Sequence, residues 1–368
     1  MRTIEVVARD SLIRQKTMRN KFLLLTVAAL ILGVAAYVWY ARQRDDHEGA
    51  IGTTRLFPQL EQQLNDIARI RVEHGGERYD VVRHGEGWQL PGKGNFPAVF
   101  ERVKLLLLGI ARLEKVEAKT GKPENYARLG VADPSATNHS FRLSLYAGDR
   151  RPVASLIVGR ISIGLIAGGK DGIFARQSND TQTWLTAGRL YLPASPVDWV
   201  NRRIIHIKPK DVKRVTITQV DGEALVIEKS NRGAPDFKVV HSSATAVPQT
   251  GDGVNLLARG LAGLDMDDVR RLDDADFQTA KAVSAVFETW DGLTVSAYTL
   301  DREGHLWVRL KVGVAGIGAE DLSTVRTLPD DVAALRSQLD GWVFQIPRSR
   351  GEKLRARLKD LAAAPPGR

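Results

Sequence analysis

Two stretches of similar sequence decide the fold: DIARIRV at residues 66–72 and DVKRVTI at residues 211–217, at an offset of 145. Apolar and polar residues alternate through the second half of each stretch, a period of two that predicts a half-buried strand. A turn signal follows each stretch, Gly75-Gly76 in the first copy and Asp221-Gly222 in the second. This pattern is typical of a β-hairpin, so we expect each stretch to begin a sheet.

The elements that follow these hairpins repeat in the same order. An aromatic strand comes next, at residues 88–90 in the first copy and 237–239 in the second, and then a Leu-rich pattern with helical spacing. The helical patterns are 99–113 and 254–264, and the closing strands are 141–146, 154–158 and 172–176 in the first copy and 286–290, 293–300 and 306–312 in the second. We predict an α+β fold, in which an N-terminal transmembrane helix precedes two tandem, related domains of mainly antiparallel sheet and helix. A chance similarity between two α+β segments is the alternative.

The segment before these domains has the features of a membrane anchor. Residues 22–40, FLLLTVAALILGVAAYVWY, contain no charge. As a helix they reach about 28 Å, close to the roughly 30 Å hydrocarbon core of a bilayer. The alternative is a cleaved signal peptide, but this apolar run is longer than most, and its aromatic end suits a membrane interface. More Lys and Arg precede it than follow it, which predicts a single-pass protein of the bacterial inner membrane with a cytoplasmic N-terminus and periplasmic domains.

Most of the net charge of +10 lies at the two ends of the chain. Residues 1–21 carry +4 and residues 348–368 carry +5, so the body is nearly neutral and we expect no nucleic-acid partner. The predicted organisation is a basic cytoplasmic segment 1–21, the anchor 22–40, a linker 41–56, a first domain 57–208, a second domain 209–347, and a basic C-terminal helix and tail 348–368.

The motifs for common catalytic chemistries are missing from the sequence. With no cysteine, disulfides, thiolate nucleophiles and Cys-based zinc sites are excluded. The seven histidines form neither H-x-H nor H-E-x-x-H, and there is no G-x-S-x-G elbow. Two carboxylate clusters, at 265–268 and 273–276, lack the alternating oxygens and central glycine of a calcium loop. We therefore predict no enzyme activity, no cofactor and no metal.

One segment imitates a phosphate-binding loop. Residues 164–170, GLIAGGK, satisfy G-x-x-x-x-G-K. A P-loop needs Ser or Thr next and a helix after it, whereas Asp171 follows here and residues 172–176 resemble a strand. We interpret the segment as a glycine-rich turn between two strands.

The candidate contact surface combines tryptophans with the basic C-terminus. Most tryptophans lie in apolar stretches and are expected in the core, but Trp88, Trp184 and Trp199 are candidates to line a ligand or partner groove. Residues 350–361 are predicted to form a helix with Leu354, Leu358 and Leu361 packed on the second domain. The cations of this helix then become candidates to face a partner or lipid headgroups: Arg355, Arg357 and Lys359.

Several short motifs occur in an order that resembles a known family. They are GWQL at 87–90, YARLGVADP at 126–134, LIVG at 156–159, GIFAR at 172–176, WL at 184–185, PVDWVNRRII at 196–205 and WVFQIP at 342–347. Together with the anchor they resemble the bacterial family of domain of unknown function 4340. Its members are described as auxiliary components of gliding-motility-type ABC transporters. The seventeen residues before Met18 look like an extension, so Met1 and Met18 are both candidate starts.

The resemblance implies a non-catalytic accessory protein whose extracytoplasmic domains bind an ABC transporter permease or a related membrane subunit. Two alternatives stay open. One is a periplasmic ligand- or glycan-binding module that works without a transporter, and the other is an unrecognised periplasmic hydrolase.

Overall fold

The computed structural model describes residues 54–148, 151–166, 169–242, 251–273, 277–314 and 330–362. The predicted segment 1–21, the predicted anchor 22–40, residues 41–53 of the predicted linker and the end of the C-terminal tail lie outside these ranges. No helix within the described ranges is long and apolar enough to cross a membrane. The structure therefore concerns the part of the chain that follows the predicted anchor.

The first part of the chain forms a nine-stranded sheet. Its strands are β1 (Arg69–His74), β2 (Glu77–His84), β3 (Gly87–Leu90), β4 (Phe96–Ala98), β5 (Glu114–Ala118), β6 (Phe141–Tyr146), β7 (Ala154–Ile166), β8 (Lys170–Gln177) and β9 (Thr183–Ala187). They lie in the order β4-β3-β2-β1-β6-β7-β8-β9-β5, and all neighbours are antiparallel.

The second part forms a two-stranded and an eight-stranded sheet. The strands are β10 (Arg203–Ile205), β11 (Val212–Thr218), β12 (Ala224–Glu228), β13 (Lys238–Ser242), β14 (Leu264–Asp265), β15 (Asp268–Arg271), β16 (Val283–Thr289), β17 (Leu293–Arg302), β18 (His305–Val314) and β19 (Trp342–Ile346). Strands β10 and β14 pair with each other, and the larger sheet has the order β13-β12-β11-β16-β17-β18-β19-β15, again antiparallel throughout.

Short helices connect these strands. The α-helices are α1 (Phe100–Ala111), α2 (Tyr126–Leu129), α3 (Asp252–Leu257), α4 (Asp330–Leu339), α5 (Arg348–Gly351) and α6 (Leu358–Ala362). The 3-10 helices are Leu60–Asp66, Pro91–Lys93, Pro123–Asn125, Pro196–Trp199, Pro209–Asp211, Thr279–Lys281 and Glu352–Leu354. Helix α1 buries Val103, Leu106 and Ile110, the face that its apolar spacing predicts. The second predicted helix, 254–264, corresponds to α3, which ends at Leu257 and is therefore shorter than expected.

The two large sheets have the same strand order. Without its extra edge strand β4, the first sheet reads β3-β2-β1-β6-β7-β8-β9-β5, and each of these strands corresponds in chain order to one strand of the second sheet. Ile70 lies between Val81 and Leu145, and at an offset of 145 Val215 lies between Ile227 and Phe287. The strand order and the helix positions agree with the predicted repeat, and the fold is α+β with mainly antiparallel sheets.

Aromatic side chains join the first sheet to the second. Phe96 of β4 meets Trp342 of β19 edge to face, with ring centroids 4.8 Å apart, and it also contacts Phe344. Next to these rings the Lys93 ammonium lies 2.6 Å from a carboxylate oxygen of Asp268. Most buried apolar residues of both sheets belong to one continuous core, so the two predicted domains pack as a single unit.

A small sheet fastens the connection between the two parts. Strand β10 comes from the connector after the first sheet, and its partner β14 precedes the edge strand β15 of the second. The backbone N–H of Met266 donates to the Arg202 carbonyl at 2.8 Å, and the N–H of Ile207 donates to the Leu261 carbonyl at 3.0 Å. The side chains of Arg203 and Asp265 form an ion pair across the same strands.

The β7–β8 hairpin projects beyond the first sheet. Strand β7 is paired with β6 up to Val158, and β8 is paired with β9 only from Gly172 onward. The described residues between these points, 159–166 and 169–171, form the feature that we name the β7–β8 arm.

Candidate functional site

A groove of about 630 Å³ lies at one end of the second sheet, beside the C-terminal segment 348–362. Its walls come from the β11–β12 turn, the first residues of β16 and β18, and the C-terminal segment itself. The lining includes Gln219, Val220, Val283, Leu306, Arg355 and Arg357. Val220 is 60% exposed at its rim. The groove thus combines an apolar rim with polar and charged walls.

The C-terminal segment is broken into three short helices and is not the single helix predicted for 350–361. Leu354 and Leu358 are buried as predicted, and Leu361 is partly buried against the same core. The break lies at Arg355–Arg357. The side-chain amide of Gln219 donates to the carbonyls of Arg355 at 3.0 Å and Ala356 at 3.2 Å. A continuous helix would use these carbonyls for its own hydrogen bonds, so the buried amide replaces helical pairing at this point.

Ion pairs hold the C-terminal segment on the second sheet. Arg348 and Arg355 both bind Asp301 in the β17–β18 hairpin. Burial raises the pKa of Asp301, but the hydrogen bond and charge of Arg355, followed by those of Arg348, outweigh it and leave that pKa below its usual value. Two of the three predicted contact cations, Arg355 and Arg357, are therefore engaged inside the molecule, while Lys359 is exposed.

The partners of Arg357 lie in the β11–β12 turn. Its guanidinium binds Asp221 at 2.7 Å and also binds Glu223. The pKa of Asp221 is lowered first by the backbone N–H of Glu223, which donates to its carboxylate at 3.0 Å, and then by Arg357. Arg355 and Arg357 are thus paired with acidic residues far away in the sequence, and both also line the groove, so their contact with a partner stays a prediction.

The three candidate tryptophans do not line one groove. Trp88 and Trp199 are buried in the core, and Trp184 is half-buried with the Lys115 ammonium 4.8 Å above its ring. The expectation that the tryptophans are core residues is thus confirmed for Trp88 and Trp199. Trp88 and Trp199 are closed to solvent, whereas Trp184 is only partly buried, and its contact with a ligand or partner stays a prediction.

A buried hydrogen-bond pair explains the position of Trp199. Its indole N–H donates to the Tyr79 hydroxyl at 3.2 Å, and that hydroxyl donates to the Pro193 carbonyl at 2.8 Å. Burial raises the pKa of Tyr79 above its usual value, since ionisation would place a charge in an apolar setting. This contact fastens the 193–199 connector to the first sheet and has a structural role.

The segment that imitates a P-loop includes the end of β7 and the start of β8 in the β7–β8 arm. Strand β7 ends at Ile166 and β8 begins at Lys170, so a strand follows the glycines where a P-loop requires a helix. This confirms the predicted turn between two strands. Three apolar residues of β7 lie open to solvent in the arm: Ile161 is 58%, Ile163 88% and Leu165 51% exposed.

Within the described residues, no group of three or more His, Asp or Glu side chains is placed to hold a metal ion. His74 stacks on the Phe141 ring with centroids 3.8 Å apart, and its Nδ1 lies 3.1 Å from the Ser140 carbonyl. Its surroundings are those of a strand residue packed on a neighbouring strand.

A family model described as a domain of unknown function, DUF4340, matches residues 88–284. The match covers more than half of the chain. The chain belongs to the DUF4340 family. The matched range runs from β3 into β16, so it includes the joint between the two sheets. No curated protein matches this chain. No solved structure matches it either.

Sequence reasoning named Arg355 and Arg357, which line the groove of this DUF4340 protein, but it missed Gln219 and Asp301. Gln219 and Asp301 each lie next to a hairpin turn, where a polar residue normally faces water. Their partners are 47 or more residues away in the sequence. Only the rim residue Val220 carried a signal, as a valine between Gln219 and the turn pair Asp221-Gly222.

Proposed function

We propose that this DUF4340 protein is a non-catalytic, membrane-anchored accessory of an ABC-type transport complex, and that its extracytoplasmic part acts by binding a membrane subunit. The groove beside the C-terminal segment carries this proposal. Val220 is exposed at its rim, while the carboxylates of Asp221, Glu223 and Asp301 are held in ion pairs with arginines. Such a surface suits contact with a polypeptide better than acid–base chemistry.

The anchor supports the same proposal from the sequence. Residues 22–40 are uncharged and long enough to span a bilayer, and the basic segment 1–21 precedes them. The test is the N-terminus of the protein purified from membranes. We expect it to begin before residue 22, whereas soluble protein beginning near residue 41 would indicate a cleaved signal peptide.

A pull-down in mild detergent, analysed by mass spectrometry, tests the partner. We expect to recover an ABC permease or its ATPase with the full chain. The variant Val220→Glu places a charge on the apolar rim and should lower the recovery about tenfold, as expected when a central interface contact is lost. The matched control is Val240→Glu in β13, where the side chain is 56% exposed and away from the groove.

Two results would contradict the proposal. If no transporter subunit is recovered from membranes that hold the full chain, the proposed partner is wrong. If Val220→Glu and the unchanged chain recover equal amounts of the transporter subunit, the groove is not part of the interface.

One alternative has an observation of its own in its favour. A second cleft of about 440 Å³ near the β6–β7 connection is lined by Phe57, Gln177, Ser178 and Asn179. An aromatic ring with amide and hydroxyl groups around it suits a sugar, which favours the ligand- or glycan-binding module. Binding of oligosaccharides that is abolished by Gln177→Ala, in a protein that recovers no transporter subunit, would support this alternative instead.

A further inference from the structure

The β7–β8 arm presents apolar side chains where the fold does not cover them. Ile161, Ile163 and Leu165 lie in the part of β7 that extends past its pairing with β6, and Ile163 is the most exposed of them. Monomeric soluble proteins scatter exposed apolar residues singly, so three within five residues of one projecting strand indicate a contact surface.

In the sequence of the arm, basic residues outnumber acidic ones. The arm contains Arg160 and Lys170 against one carboxylate, that of Asp171. The Asp171 carboxylate accepts a hydrogen bond from the backbone N–H of Gly164 at 3.1 Å, so it has a role inside the turn. Arg160 is exposed. Apolar residues flanked by cations are the combination that binds the interface of an anionic bilayer.

The arm also lies within reach of the membrane that the predicted anchor would occupy. Arg55 pairs with Glu114, Glu114 with Ala187, and Ala187 with Gly172 at the base of the arm. Neighbouring strands are about 4.8 Å apart, so the base of the arm is only about 14 Å from Arg55. The thirteen residues 41–53 can span at most about 45 Å. The anchor therefore leaves the arm within reach of the leaflet.

We infer that the β7–β8 arm rests on the outer leaflet of the bilayer that holds residues 22–40, with Ile161, Ile163 and Leu165 in the headgroup region and Arg160 beside anionic headgroups. The inference rests on the anchor of the proposed function and goes beyond it. Insertion is shallow, because the edges of a two-stranded arm carry unpaired backbone groups that need polar partners and cannot enter the hydrocarbon core. The contact fixes the orientation of the groove relative to the membrane.

The absence of cysteine from the chain allows a direct test. A single cysteine is introduced by Ile163→Cys in the full chain, labelled with an environment-sensitive fluorophore and reconstituted into nanodiscs of phosphatidylcholine and phosphatidylglycerol. Lipids with a nitroxide on the acyl chain then act as quencher. We expect at least about twofold stronger quenching at this position than at Val240→Cys, an exposed valine of the second sheet.

A second variant tests the apolar contact itself. With the label on Leu165→Cys, the further change Ile163→Asp should reduce the lipid quenching by about half or more. Because Ile163 is so exposed, the substitution is expected to leave the fold intact. Quenching that is unaffected by Ile163→Asp would overturn the inference.

The remaining outcomes distinguish the other occupants of this face. Equal, weak lipid quenching at Ile163→Cys and Val240→Cys overturns the inference. A label that is shielded from aqueous iodide but not quenched by lipid means that protein, such as a second copy, covers the arm, which also overturns it. Alkaline carbonate extraction reports on the anchor separately: extraction of the full chain from membranes overturns both the anchor and the arm contact, whereas retention with an unquenched label overturns the arm contact alone.

Discussion

The β7–β8 hairpin of the first sheet and the β17–β18 hairpin of the second occupy the same place in the same strand order, but their ends differ. The β17–β18 hairpin turns immediately after Arg302, which pairs with His305, and Asp301 beside the turn is bound by Arg348 and Arg355. The β7–β8 hairpin continues into the arm, where Ile163 faces solvent.

The difference lies in what the chain adds to each sheet. The C-terminal segment packs so closely on the second hairpin that a Cβ added to Gly351 would lie 1.8 Å from Leu306 Cδ2. In the first sheet, the segment around α2 packs on Gly159 and Arg160 of β7, at the base of the arm. Two copies of one strand order have thus become a covered end in the second sheet and an exposed end in the first.

The largest expected effect comes from separating the two sheets, on whose common core the comparison depends. Phe96→Ala removes a buried ring from the contact with Trp342 and Phe344 and should lower the free energy of unfolding by about 3–5 kcal/mol. Urea denaturation of the full chain in detergent measures it. The control is Phe100→Ala at the start of α1, where the side chain is 53% exposed and a change below about 1 kcal/mol is expected. Equal effects would mean that the sheets are energetically independent.

The next effect concerns the base of the arm. A Cβ on Gly159 would lie 2.4 Å from the Leu129 carbonyl oxygen and 2.7 Å from Val131 Cγ1. Because the first of these is backbone, Gly159→Ala should displace the segment around α2 and lower stability by about 1–3 kcal/mol. Gly148→Ala is the control, since nothing lies within 4 Å of its added Cβ. If both variants unfold at the same urea concentration, α2 does not support the arm.

A smaller effect is pH-dependent and belongs to the covered hairpin. The pKa values of Asp301 and Asp221 are lowered in the folded protein, so their contribution to stability is complete above the unfolded pKa of about 3.9 and is lost as pH falls below it. A fluorophore on Lys359→Cys should report loosening of the C-terminal segment in this acid range. The combined change Asp221→Asn and Asp301→Asn should loosen it at neutral pH. Loosening that begins above about pH 5 would require groups other than carboxylates.

The smallest expected effect is at the exposed hairpin. Ile163→Asp should change the free energy of unfolding in detergent by less than about 0.5 kcal/mol, because the exposed Ile163 side chain makes few apolar contacts that the substitution could remove. The same change at Leu306, buried at the corresponding end of the second sheet, should cost several-fold more, about 2 kcal/mol or above. Thermal unfolding of both variants compares them. A comparable loss at Ile163 would mean that the arm packs on the protein itself.

The alternation of apolar and polar residues and the turn residues of the hairpins were enough to predict most strands and the repeat. The alternating apolar residues of β6 and β17 and the Leu-rich face of α1 have strong patterns, and in the structure these residues lie in the expected elements. Strands β5 and β15 were missed, because Glu114–Ala118 and Asp268–Arg271 are short, polar edge strands with almost no apolar alternation. Helix α4 was missed for a similar reason, since its apolar face is weak.

The groove was harder to predict because its determinants are distant in sequence. Nothing local in 350–361 marks the break at Arg355, which depends on an amide of Gln219 from another hairpin. Charge pattern alone made Arg357 a candidate to face a partner or lipid headgroups, since a sequence does not show that Asp221 pairs with it. The exposed arm was not predicted, because β7 continues to Ile166 through residues that lie between the predicted strand 154–158 and the predicted glycine-rich turn.

The small β10–β14 sheet makes the molecule mechanically continuous. Its two strands come from opposite sides of the joint and run antiparallel, and the ion pair between Arg203 and Asp265 spans them. A force that draws the two large sheets apart must first break the β10–β14 pairing and the aromatic contacts around Phe96. A tension or torque that acts on one end of the described chain is therefore transmitted through the joint to the opposite end, because the two sheets move as one rigid unit.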